Sequence, residues 1–343
     1  MGQHGRRILV MPELNNTLER HSFEQKFVAG FAVSKWQDVR ILVAVSAGAD
    51  SVALLRAIVA LREADATGDI HVIHVNHRWR AEASDADQRF VEGLSEELGV
   101  PCHVVAAEAG DKTEEGAREQ RYRAFLDQAR QTGARLVLTA HTKNDQIETL
   151  IDRIFRGTGL VGLKGIPRTR SLDHGISLVR PLLEFERDEI LQYLAELDQA
   201  YCEDATNQSL DYTRNRIRNE LLPLLKQSYH ADADQAVLRL RELALELSAY
   251  VAGDVREVRE AAVSVRSDGG FVLHCDRLTN VASVVIRELF VKLWSEADWP
   301  RKAMTRVHWL QLESLVSSDI PAVMLPGEIR AEKNGEQLTL TRR

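Results

Sequence analysis

The sequence predicts an α/β protein: a doubly wound parallel sheet, followed by a smaller C-terminal α+β domain. Three observations carry that expectation. Short apolar, β-branched runs alternate with segments of helical period between residues 41 and 156, as successive βαβ units require. The sharpest transition, RILVAVSAGADSVALLRAIVA at 40–60, passes from strand to helix through a turn of small and hydroxyl residues. Beyond residue 228 the pattern changes to one long amphipathic helix and two glycine turns of the hairpin type.

Taken in order, residues 1–38 read as a polar N-terminal extension of weak helical pattern, expected to be peripheral. Strands are expected near 41–45, 70–75, 102–106 and 135–139, and helices near 51–63, 84–98, 114–132 and 144–156. A glycine-punctuated loop (Gly157, Gly159, Gly162, Gly165) leads to the apolar run 178–183 and a helix near 186–197. An arginine-rich helix start follows, and Pro223 with the polar stretch 228–234 closes a domain spanning 39–228. In 229–343, Leu240, Leu243, Leu247 and Val251 recur at helical spacing. Asp268-Gly269-Gly270 and Asn334-Gly335 mark two hairpins, with a helical pair between them.

The 343 residues are 44% hydrophobic and 28% charged, the composition of a globular chain with ample core. A net charge of −7 leaves no overall polycationic surface, so any RNA contact has to come from local arginine clusters. No apolar run reaches membrane-spanning length, and 8–11 is too short for a signal-peptide core. A cytoplasmic protein with no membrane partner is expected, and the sequence allows a homodimer. Cys102, Cys202 and Cys275 are widely spaced without a C-x-x-C, which argues against a disulfide scaffold, zinc ribbon or iron–sulfur cluster. His71, His74 and His77 do not suit a metal, because on a strand position 74 faces away from the other two.

The 46–51 turn has the composition of an anion site. The first N–H groups of a helix lack intrahelical partners and lie at the positive end of its dipole. Ala47, Gly48 and Ala49 let a phosphate approach the backbone, while Ser46 and Ser51 offer hydroxyl donors. The plain alternative is a strand-to-helix turn capped by Ser or Asp. A second constellation, TAHTKNDQIETLIDRIFRGTG at 139–159, sets Asp145 and Glu148 three apart on the polar face of a helix whose apolar stripe is Ile147, Leu150, Ile151, Ile154 and Phe155. Paired carboxylates there suit Mg²⁺ or an ammonium group, or simply stabilise the helix N-terminus. The third is DATNQSLDYTRNRIRNELLP at 204–223. Arg214, Arg216 and Arg218 are apt for phosphates, and the bland reading is a solvated helix face. Arg118 and Arg121 lie one turn apart on another helix. Ser46, His77 and His141 all follow strand ends, where such sheets bind ligands.

The turn resembles S-G-G-x-D-S, the loop of the PP-loop ATP pyrophosphatases, whose fold is adenine nucleotide alpha-hydrolase-like. HVNHRWR (74–80), AREQRY (117–122), AHTKNDQIET (140–149), RGTGLVGLKGI (156–166), RPLL (180–183) and YTRNRIR (212–218) narrow the resemblance to the bacterial tRNA(Ile)-lysidine synthetase family. The motifs cover residues 40 to about 225 and the C-terminal third is a looser match to that family's tRNA-docking domain. Two departures stand out: Ala47 replaces a loop glycine, tolerable only if that position does not need positive φ, and Asn144 replaces the first Asp of D-D-Q.

The resemblance implies a ligase that uses ATP, Mg²⁺ and free L-lysine to convert the wobble cytidine of tRNA(Ile) with a CAU anticodon into lysidine, through an adenylated cytidine. Residues 46–51 would bind ATP, with Asp50 arranging metal or phosphate. Asp145 and Glu148 would hold lysine's cationic group, one of them helping to deprotonate the amine. Arg118 or Arg121 would hold the adenylate, and Arg214, Arg216 and Arg218 would contact tRNA or phosphate. Three rivals are a tRNA thiolation enzyme of the same superfamily, a degenerate nucleotide- or RNA-binding relative, and an ATP ligase acting on a small metabolite.

Overall fold

A computed structural model describes residues 20–76, 82–107, 114–203, 213–318 and 320–342. His77, most of the N-terminal extension and the polar stretch before the arginine-rich helix lie outside the described residues. The chain divides into two compact units, 1–156 with 165–238, and 157–164 with 239–343.

The first unit runs α1 (Ser22–Gly30), β1 (Ile41–Ala44), α2 (Ala49–Leu61), β2 (Ile70–Asn76), α3 (Glu82–Glu97), β3 (Cys102–Ala106), α4 (Glu114–Thr132), β4 (Leu136–Leu138) and α5 (Lys143–Phe155). The short α6 (Leu160–Leu163) belongs to the segment grouped with the second unit. β5 (Thr169–Asp173), β6 (Ile176–Val179), α7 (Arg187–Glu196), α8 (Thr213–Arg216) and α9 (Leu222–Ser228) complete the first. The sheet order is β3-β2-β1-β4-β6-β5, parallel except for the antiparallel edge strand β5. Ile41, Leu42 and Val43 on β1 are buried on both faces, which explains their unbroken apolar run. β1 lies between β2 and β4. The chain therefore departs in opposite directions across the sheet on its two sides, and a crevice opens beyond its carboxyl end.

Two features depart from the sequence expectation. The β5–β6 hairpin turns at Gly175, whose φ is +77°, and β5 is not among the expected strands because Thr169, Arg170 and Ser171 are exposed and polar. The extension is not peripheral over its described part. Phe23, Phe27, Phe31, Val33 and Trp36 join the main core, and Phe23 stacks on Tyr193 of α7 at 4.3 Å between ring centroids.

The second unit contains most of α10 (Ala233–Ala262), β7 (Val263–Val265), β8 (Phe271–His274), α11 (Ser283–Glu296), α12 (Arg306–Ser317), β9 (Ala322–Leu325), β10 (Ile329–Asn334) and β11 (Gln337–Arg342). Its antiparallel sheet, β7-β8-β11-β10-β9, shares a core with α11 and α12 built on Leu289, Phe290, Leu293, Trp294 and Leu312. Both expected hairpin turns are present, with Gly269 and Gly335 at positive φ. Among the described residues no helix is long and apolar enough to cross a membrane.

Candidate active site

The loop after β1 is tied together by its own serines. Ser51 Oγ accepts from the Ser46 amide at 3.0 Å and donates to the Gly48 carbonyl at 2.9 Å. Ser51 is buried, so its hydroxyl holds the bend in shape, and the exposed Ser46 has its Oγ 3.3 Å from Ser51 Oγ. Gly48 is the N-cap of α2, and the first intrahelical bonds run from Ser51 and Val52 to its carbonyl. The amides of Ala49 and Asp50 precede those bonds, at the positive end of the dipole. Ala47 is fully buried with φ +72°. The position does require left-handed backbone, and a Cβ there costs roughly 1 kcal/mol. The Ala47 carbonyl accepts from the Cys202 amide at 3.0 Å, which fixes the strained peptide from behind.

Asp50, in the first turn of α2, pairs with Arg187 at the start of α7. Burial pushes the Asp50 carboxyl above its ordinary range, and Arg187 only partly offsets that. Asp145 adds to the rise, and Arg218 opposes it. The loop and the second constellation follow neighbouring parallel strands, β1 and β4. Arg187 was not singled out from the sequence, because nothing local marks it as the partner of a residue 137 positions away.

Asp145 turns Oδ2 back to the Thr142 amide at 2.6 Å, capping α5, and its Oδ1 pairs with Arg214. Glu148, 1% exposed at its side chain, accepts from Arg214 Nε at Oε2 and from Arg218 Nε at Oε1, each at 2.6 Å. The chain from α8 continues as a π-helical turn, Ile217–Leu221. Ile217 packs with Ile147 and Ile151, while the arginines on either side reach the carboxylates. The sequence reading kept these constellations apart, with Arg214 and Arg218 assigned to tRNA or phosphate. In the fold both guanidiniums are engaged by Asp145 and Glu148, and the exposed Arg216 is not drawn into that pairing.

Burial alone would raise Asp145, yet Arg214, His141, the Thr142 amide and Arg218 together hold it below the usual carboxylate range. His141 is pushed far below its ordinary value, first by burial and then by Arg180, Arg214 and Arg118, against the pull of Asp145. It is neutral at pH 7, with Nδ1 3.1 Å from the Thr139 hydroxyl. Arg118 lies over the Tyr122 ring on α4, and Arg121 is exposed on the same helix. Asn144 is half-buried in the first turn of α5. His74 Nδ1 is 2.8 Å from the Val45 carbonyl, and His71 pairs with His103.

Residues 19–225 match the PP-loop domain family. The tRNA(Ile)-lysidine synthase of Rhodopirellula baltica is 33% identical over 319 residues, covering 82% of this chain and 80% of that protein. The chain belongs to the tRNA(Ile)-lysidine synthase family. Members from Nostoc sp. and Geobacter sulfurreducens are 37% and 34% identical over 65% and 89% of this chain, which spans 65% of the length of each. Among solved structures, the U34-tRNA thiolase NcsA from Methanococcus maripaludis superposes with a TM-score of 0.54 at 15% identity, over 65% of this chain and 78% of that one. That likeness shows the shared fold. As a PP-loop domain in this family, the chain uses ATP.

Proposed function

We propose that this chain ligates L-lysine to C2 of the wobble cytidine of tRNA(Ile) with a CAU anticodon, consuming ATP and releasing AMP and pyrophosphate. The observation that carries this reading, in a chain of this family, is that the phosphate loop with Asp50 and the Asp145–Glu148 pair follow the adjacent parallel strands β1 and β4, near the starts of α2 and α5. One crevice thus offers a phosphate cradle beside a carboxylate pair suited to an ammonium group.

The chemical difficulty is that the C2 oxygen of cytosine is a poor leaving group. In the first step that oxygen attacks the α-phosphorus of ATP, forming an O–P bond as the bond to pyrophosphate breaks. The loop amides and the Ser46 hydroxyl suit the charge on the phosphates. In the second step the lysine side-chain amine attacks C2, the C2–O bond breaks, AMP leaves with the oxygen, and the amine gives up a proton. Asp145, kept ionised well into acid, suits holding a cation better than taking its proton. Glu148 shares that site through Arg214, and one of the two carboxylates helps to take up the amine's proton. Among the described residues no trio of His, Cys, Asp or Glu gathers around a metal. Asp50 alone beside the phosphate loop fits Mg²⁺, which is ordinarily held by one or two carboxylates plus phosphate oxygens. Bound there, the ion would offset phosphate charge.

The thiolation alternative needs a sulfur nucleophile. Cys202 adjoins the loop, but burial and then Asp87 raise its thiol above the ordinary range, which disfavours the reactive thiolate. The deciding assay measures pyrophosphate release with lysine and tRNA supplied or withheld separately, followed by mass spectrometry of the tRNA. A lysine-sized addition supports the reading. Sulfur-for-oxygen exchange, or binding with no pyrophosphate release, overturns it.

A further inference from the structure

Arg180, just after β6, is 1% exposed. Its Nη1 donates to the Pro167 carbonyl at 2.7 Å, its Nη2 lies 3.5 Å from the Tyr122 hydroxyl, and its Nε has no hydrogen-bond partner. Burial, the first cause, lowers its pKa, with Arg170 and Arg118 adding to the fall. Two exposed guanidiniums gather on the same tyrosine: Arg118 Cζ is 5.2 Å and Arg170 Cζ 4.6 Å from the Tyr122 ring centroid. None of the three arginines forms an ion pair with a carboxylate of the described residues. Burial would raise the Tyr122 phenol, but Arg118, Arg180 and Arg170 outweigh it and hold the group below its ordinary range.

A buried cation is ordinarily paired. Here a chain of net charge −7 concentrates three guanidiniums with no carboxylate partner among the described residues, around a ring that holds two of them in place. Guanidiniums so arranged match phosphate oxygens in charge and shape.

The position of the cluster selects which phosphate. Arg180 follows β6 and Arg170 lies on β5, two and three strands along the sheet from β1 and its phosphate loop. At roughly 4.8 Å per strand the lateral separation is about 10–14 Å. Arg180 leaves the carboxyl end of β6, parallel to β1 and β4, so the cluster lies at the same end of the sheet as residues 46–51 and His141. A polymer whose target base enters the crevice would carry its backbone past this edge. We infer that Arg118, Tyr122 and Arg170, with Arg180 keeping the patch positive from beneath, form a second anion site that takes a backbone phosphodiester of the RNA strand beside the modified nucleotide. The inference rests on the proposed RNA substrate and adds Tyr122, Arg170 and Arg180 to it.

The test is equilibrium binding of an anticodon stem-loop RNA across a salt series, with a non-hydrolysable ATP analogue titrated in parallel. Arg170→Ala removes an exposed side chain. It is expected to weaken RNA binding about tenfold at low salt and to flatten the log–log salt slope by roughly 0.7–0.9, leaving affinity for the ATP analogue intact. Arg170→Lys should recover most of the slope. Tyr122→Leu, checked by melting, should raise the RNA KM far more than it lowers kcat. RNA affinity and slope unchanged in Arg170→Ala would overturn the inference. So would a loss confined to the ATP analogue, which would assign the arginines to the nucleotide's own phosphates. Because binding is read without chemistry, a wild-type protein that forms no lysidine yet shows the Arg170-dependent slope sinks the proposed reaction and leaves this site standing.

Discussion

Arg214 donates from Nε to Glu148 Oε2 at 2.6 Å while its Nη2 pairs with Asp145. The carboxylates proposed to receive lysine's ammonium are already balanced by a cation of the protein's own. An incoming ammonium therefore shares or displaces that guanidinium, and the freed arginine has phosphate within its chemistry.

Glu148→Gln separates the two halves of the reaction. It removes the negative charge that both arginines meet, so lysine transfer should fall by at least two orders of magnitude. Pyrophosphate release from ATP with tRNA alone should persist. Leaving two half-buried guanidiniums short of a partner should cost about 1–3 kcal/mol, measured by denaturant titration. Equal loss of both half-reactions would count against a lysine-specific role.

Ala47→Gly should stabilise the protein. Relief of a buried residue at φ +72° outweighs the added freedom of glycine in the unfolded chain, for a net gain of about 0.5–1 kcal/mol. Ala47→Val, β-branched at the same φ, should destabilise it. Thermal melts of the three proteins check both directions.

Asp50→Asn should trade activity for stability. The folded-state pKa of Asp50 is raised, so the folded protein binds its proton more readily than the unfolded chain does. Stability from this group is therefore present at acid pH and lost as pH rises through the folded value. Asparagine removes that penalty, so the variant should melt higher than wild type at neutral pH while pyrophosphate release collapses. An unchanged melting temperature at every pH would contradict the burial argument.

Asp145 has the opposite sign. Its folded pKa is lowered, so its contribution is present above the ordinary aspartate value and lost as pH falls through the folded one. Asp145→Asn should flatten the acid limb of the stability–pH curve, lowering stability by a constant amount above the ordinary aspartate value and converging with wild type as pH falls. Urea midpoints measured across the acid range test this.

Gln146→Leu should cost about 2–4 kcal/mol, because it orphans both backbone groups of Ile166. The buried amide donates to the Ile166 carbonyl and accepts from its N–H, each at 2.7 Å. Denaturant unfolding of this variant provides the measurement, with its effect expected mainly in the first unit.

The parts of the site that could be read in advance are those whose chemistry is local. A strand running into small residues and a helix start makes an anion cradle wherever it occurs, and Asp145 and Glu148 share a helix face by spacing alone. The aromatic spacing of Phe23, Phe27 and Phe31 was a readable signal of burial that the polar residues around it obscured. β5 had no such signal, because an exposed edge strand built from Thr169, Arg170 and Ser171 carries no apolar alternation.

From the amino-acid order alone came the α/β class, the phosphate turn, the carboxylate pair and the family motifs, all encoded within a few turns of helix or one strand. Tertiary structure decided the pairings. Arg214 and Arg218 reach Asp145 and Glu148 across 66–70 positions, and Arg187 reaches Asp50 across 137. It also decided that residue 47 sits at positive φ and that three arginines share one tyrosine. These depend on which strands become neighbours and which faces are driven inward, a free-energy balance over the whole chain that no local window contains.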